Sequence, residues 1–176
     1  MAGLTKDCHT VEYGVPDGIA QLVSYPVGAN QQLYSGAVAL LSGSGSVTSG
    51  YLKNAASPGS SDLVVGIIGD AAGGTLVETG YGILGGSTDG AVWVNVRTGS
   101  FFIQNGASGS AVTEANVGKN VYYTGENSSG PVLSSTNTGS AYPTLGILLP
   151  QDPGIAGTVT PGSSYWPVKL NVVGGP

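Results

Sequence analysis

Between Ala91 and Thr124 the chain reads AVWVNVRTGSFFIQNGASGSAVTEANVGKNVYYT. Val92, Val94 and Val96 alternate with Trp93, Asn95 and Arg97, the period of a half-buried strand and not of a helix. The three valines are therefore expected inside. Thr98-Gly99 then turns the chain into Ser100–Gln104, a second run of strand formers, which Asn105-Gly106 ends with a dipeptide tolerant of positive φ. Thr113–Gly118 reads as a single helical turn, with Thr113 as N-cap and Gly118 as a left-handed stop. Lys119–Thr124 resumes a strand. A chain built around this stretch is β-rich.

The flanking sequence agrees. Ile19–Tyr25, Leu33–Leu41, Tyr51–Asn54, Thr75–Leu84, Pro131–Leu133, Thr144–Leu149 and Trp166–Val173 are read as strands, separated by Gly, Ser, Asn and Pro. Gly125–Gly130 and Ser134–Tyr142 read as polar connections. Leu63-Val64-Val65-Gly66-Ile67-Ile68-Gly69 is a continuous apolar run, as a strand buried on both faces requires, and its glycines point to a bulge or a barrel bend. Short strands at intervals of about 8 to 12 residues predict an all-β, single-domain barrel or sandwich with one short helical turn. Residues 1–18 are expected to form an extended N-terminal arm, ending at the turn sequence Val15-Pro16-Asp17-Gly18, with a β-rich domain over 19–176.

Composition narrows the function. Charged residues are 9% of the chain, against roughly 25% in an average soluble domain. Lys6, Lys53, Arg97, Lys119 and Lys169 are scattered, whereas a nucleic-acid binder clusters its cations against phosphates, so nucleic acid is not an expected partner. The single cysteine, Cys8, permits no intrachain disulfide and fits a reducing compartment. The first residues lack the apolar core of a signal peptide, and no apolar run approaches the roughly 20 residues of a membrane span. A protein made soluble in the cytoplasm, with no membrane partner, is expected.

Catalytic motifs do not emerge. Cys8-His9 offers two adjacent metal ligands where zinc needs three or four, so neither a metal nor another cofactor is expected. No Gly-x-Ser-x-Gly elbow or Walker-type loop is present. Asp62, Asp70, Glu78 and Asp89 remain as acids whose pairing only spatial separation decides. Trp93, Tyr122, Tyr123, Tyr165 and Trp166 could build a sugar platform, although aromatics alternating with valines more often mark a core or subunit interface. Binding without catalysis is the expectation.

Several segments, in order, resemble the head decoration (capsid cement) proteins of tailed bacteriophages. They are Leu4-Thr5-Lys6-Asp7 before a short arm, V-x-V-R-x-G-x-F at Val94–Phe101, and T-x-A-N-V-G-x-x-V-Y in Thr113–Tyr122. Gly146–Leu148 and W-x-V-x-L at Trp166–Leu170 complete the series. The arm here, with Thr10-Val11-Glu12-Tyr13-Gly14, is less basic than the family's pattern, and the Pro150–Gly162 loop is longer. The resemblance implies a non-enzymatic β module on the outer surface of a virion head. Its partners would be the major capsid protein and copies of itself, with a trimer favoured. On this reading Thr5, Lys6, Asp7, Thr10, Glu12 and Tyr13 of the arm contact the capsid, and Tyr165 and Trp166 contribute to the oligomer interface. A tail-tube or fibre component is the nearest alternative, and a carbohydrate-binding β domain a more distant one.

Overall fold

The computed structural model describes residues 22–45, 47–71, 82–107, 109–128, 130–151 and 164–170, with Asp70 and Ala71 described by backbone alone. The protein is all-β. Its strands are β1 (Leu22–Pro26), β2 (Gln32–Leu33), β3 (Val38–Leu41), β4 (Leu52–Lys53), β5 (Leu63–Ala71) and β6 (Ile83–Leu84). They continue with β7 (Trp93–Arg97), β8 (Ser100–Asn105), β9 (Asn120–Asn127), β10 (Gly130–Ser134), β11 (Thr144–Leu148) and β12 (Tyr165–Leu170). The arm boundary near residue 18 lies outside the described residues.

Five strands close into a barrel in the order β10-β8-β12-β11-β9, with β8 and β10 parallel and the other neighbours antiparallel. Five more form a sheet in the order β1-β7-β5-β3-β4, and β2 pairs with β6. This sheet curls. Val27, just after β1, bridges in parallel to Leu52 of β4, and the Gly28 N–H donates to the Leu52 carbonyl at 2.9 Å. The two edges are thus drawn together at one end, as closure of a sheet removes exposed edges.

Strands β3 and β5 are the wall shared by the two halves. Val38 and Leu40 of β3, with Val64 and Ile67 of β5, join the barrel interior of Phe101, Ile103, Tyr123, Leu145, Leu148 and Trp166. Ala39, Val65 and Ile68 face the other way, onto Val94, Val96, Val27 and Leu52. Burial on both faces explains the unbroken apolar run of β5. Strict alternation would send Val64 and Ile67 to opposite faces. A register shift opposite Ala39/Leu40 restores them to one face, and Gly66 sits in it at φ 151°. A Cβ at Gly66 would lie 2.3 Å from Val96 Cγ1 and 2.4 Å from the Arg97 carbonyl oxygen, so only glycine fits.

Other expectations meet the structure unevenly. Val94 and Val96 are fully buried and Val92 partly so, as the alternation requires. Thr113 precedes a 3-10 turn at Glu114–Asn116, its N–H donating to Asn116 Oδ1 at 2.8 Å, and Gly118 follows at φ 80°. A second such turn, Thr138–Ser140, lies in the connection read as a loop. Leu33–Leu41 is not one strand: Gly36 at φ 83° splits it into β2 and β3. Thr98-Gly99 does not make a hairpin either. It carries the chain from β7 in the curled sheet to β8 in the barrel, so the most legible segment of the sequence is the link between the two halves.

Candidate functional site

Two of the weighed carboxylates are occupied with folding the chain. Asp62 is buried, meets Lys53 Nζ at 2.7 Å, and accepts the N–H groups of Gly43 and Gly59 at 3.1 and 2.6 Å. It ties two loops together. Asp89 accepts from Thr48 Oγ1 at 2.5 Å and from the Ala29 N–H at 2.7 Å, and these bonds hold its carboxyl below the usual range. The Asp70 side chain and Glu78 lie outside what the structure describes. Among the described residues no group of three or more His, Cys, Asp or Glu side chains is placed to hold a metal ion, and no helix is long and apolar enough to cross a membrane.

Glu126 is the acid that sequence reasoning passed over, because Gly125–Gly130 reads as a polar turn. In the structure β9 runs through Asn127, and Glu126 is 1% exposed. A register shift in the β9–β10 pair lies at Gly125, which sits at φ 118°, and brings Glu126 to the side of Tyr123, three residues earlier. Glu126 Oε1 accepts the Val38 N–H of β3 at 3.2 Å, bridging barrel and curled sheet. The Tyr123 hydroxyl bonds both the Glu126 carboxyl and, at 2.8 Å, the Ala55 carbonyl. Burial pushes the Glu126 carboxyl up to about 7, although the Val38 and Tyr123 bonds pull the other way. A signal was available in Gly125, a glycine within an otherwise strand-like run.

The aromatic residues do not form a platform. Tyr123 and Trp166 point into the barrel core, Trp93 stands half-exposed on β7 of the curled sheet, and Tyr165 stands exposed on β12. Trp166, expected at an oligomer interface, is 4% exposed and packs in the barrel core, so its side chain offers a partner little surface. Tyr165, 38% exposed, remains available to a partner. The run Gly80–Gly85 matches Gly-x-Gly-x-x-Gly by letter, but Ile83-Leu84 within it form β6, and no helix N-terminus follows to receive a phosphate.

Among the described residues, two surfaces stand out as suited to binding. One is the free edge of β1. Leu22 is 62% and Val23 39% exposed, and among the described residues no strand pairs with the edge of Leu22–Ser24 opposite β7. Val23 lies on the same side as the Val94 and Val96 side chains of the second core, at whose margin it is 39% exposed. Thr5, Lys6, Asp7, Thr10, Glu12 and Tyr13 precede β1 in sequence and lie outside the described residues. The other is a groove of about 760 Å³ across β8, β9 and β10, walled by the Thr136–Tyr142 connection. Compared with known protein families, curated proteins and solved structures, the chain matches none.

Proposed function

We propose that the protein is a capsid decoration module that binds the outer surface of a bacteriophage head and bridges neighbouring major capsid subunits. The observation that carries this reading is the edge of β1 at Leu22–Ser24, which no strand pairs with among the described residues and on which Leu22 and Val23 are exposed. An open edge presents unpaired backbone groups that a strand from another chain can pair with. The ordered motif resemblance supplies the identity of that chain, the major capsid protein. The closed barrel and shared wall supply a stiff body, and several copies bound together, a trimer being favoured, would gain avidity across capsid seams. The module acts by binding, not by catalysis, and resides on the virion exterior.

Mixing the protein with undecorated heads assembled from the major capsid protein of the same genome tests this reading. Particle reconstruction is expected to show added mass on the head exterior. Mass confined to tail rings or fibres, or no bound mass, would overturn it. Deleting residues 2–14 is expected to leave a folded protein with reduced occupancy; full occupancy would remove the arm from the contact.

A further inference from the structure

The groove on the barrel has a chemistry that the decoration reading does not use. Its walls include Gln104, Thr124, Asn127, Ser134, Thr138 and Tyr142, with no charged side chain among the described residues lining it. Its volume of about 760 Å³ falls within the range of small-ligand sites. An anion would find no cation there, and a cation no carboxylate, so charged ligands would lose hydration without a compensating partner. A wholly apolar ligand would strip water from hydroxyls and amides and give nothing back.

The walls are also set before any ligand arrives. Asn127 Nδ2 donates to Gln104 Oε1 at 3.0 Å, which leaves the Gln104 NH₂ oriented as a donor. Thr124 Oγ1 donates to the Val132 carbonyl at 3.2 Å, so its oxygen keeps acceptor capacity, whereas buried Ser134 both donates to the Thr136 carbonyl at 2.8 Å and accepts the Thr136 N–H at 3.0 Å and so stiffens the wall. Asn137 brackets the outer wall, accepting the Tyr142 N–H at 2.9 Å and donating to the Tyr142 carbonyl at 3.1 Å. Fixed donors and acceptors reduce the ordering cost of binding. Tyr142 adds a flat ring with a polar tip.

We infer that this groove binds a neutral oligosaccharide, whose paired hydroxyls each donate and accept. The site is separate from the β1 edge, so it stands or falls independently of capsid binding. The probes are four neutral hexasaccharides: maltohexaose, cellohexaose, mannohexaose and chitohexaose, titrated by calorimetry into the full-length protein. At least one is expected to bind. Thr138→Arg, at an exposed rim position, is expected to weaken it about tenfold or more while leaving the melting temperature unchanged. Gln104→Ala is expected to weaken it similarly, and Trp93→Ala, remote on β7, to have no effect. Failure of all four sugars to bind at concentrations up to about 10 mM, a Kd that corresponds to less than about 3 kcal/mol of binding, would overturn the inference. Binding that survives both Thr138→Arg and Gln104→Ala would overturn it equally.

Discussion

Replacing Glu126 with glutamine should make the protein more stable at and above neutral pH. The carboxyl titrates near 7 in the fold against 4.5 when free, because it is buried between β9 and β3. Protonation would let it donate to the Tyr123 oxygen while Tyr123 keeps donating to the Ala55 carbonyl, its other oxygen retaining the Val38 N–H. Ionised, it competes with Ala55 for the one phenol proton, and a buried acceptor is left short. The folded pKa is raised, so the group's contribution is fully present below 4.5 and is lost as pH rises through about 7. The loss runs at about 1.4 kcal/mol per pH unit and totals roughly 3 kcal/mol. Asp89 is shifted the opposite way, so its contribution is lost only as pH falls through the acid range and does not mask this window. Glutamine reproduces the protonated pattern, its NH₂ donating to Tyr123 and its oxygen accepting from Val38. Urea unfolding at pH 5, 6, 7 and 8 is the assay. The native protein should weaken across the series, and Glu126→Gln should lack this slope and gain up to roughly 3 kcal/mol at pH 8. Parallel pH profiles for the two proteins, or a glutamine variant weaker at pH 8, would refute the reasoning.

Asp62→Ala should cost roughly 3–5 kcal/mol in the same assay, since it strands Lys53 and two loop N–H groups at once. Lys53→Ala should cost less, because the Gly43 and Gly59 N–H groups still hold the Asp62 carboxylate. Trp166→Ala should cost roughly 3–5 kcal/mol by emptying part of the barrel core, whereas Tyr165→Ala should change stability by less than about 0.5 kcal/mol. Equal costs for those two neighbours would refute the inward assignment of Trp166.

The alternation at Val92–Arg97, the double-sided run at Leu63–Gly69 with its bulge, and the cap and stop of the Thr113–Gly118 turn were legible because they are local. Each depends on side-chain period, or on the backbone freedom of one residue, within a few positions. Strand partners are not local. Nothing in Thr98-Gly99 distinguishes a hairpin from a crossing between sheets, since a turn dipeptide sets the reversal and not the neighbour found afterwards. The alternation assigns Trp166 and Tyr165 to opposite faces, but only the closing of β12 against β8 and β11 decides that the tryptophan is inside. Likewise Glu126 looks like a turn residue until β3, 88 positions earlier in the chain, packs over it and removes its water. Local pattern was enough for an all-β chain, its buried strand and its special glycines. The division into barrel and curled sheet, the buried acid between them, the groove, and the β1 edge that is unpaired among the described residues came only with folding. Burial and pairing join residues far apart in sequence, and those contacts exist only once the chain has folded.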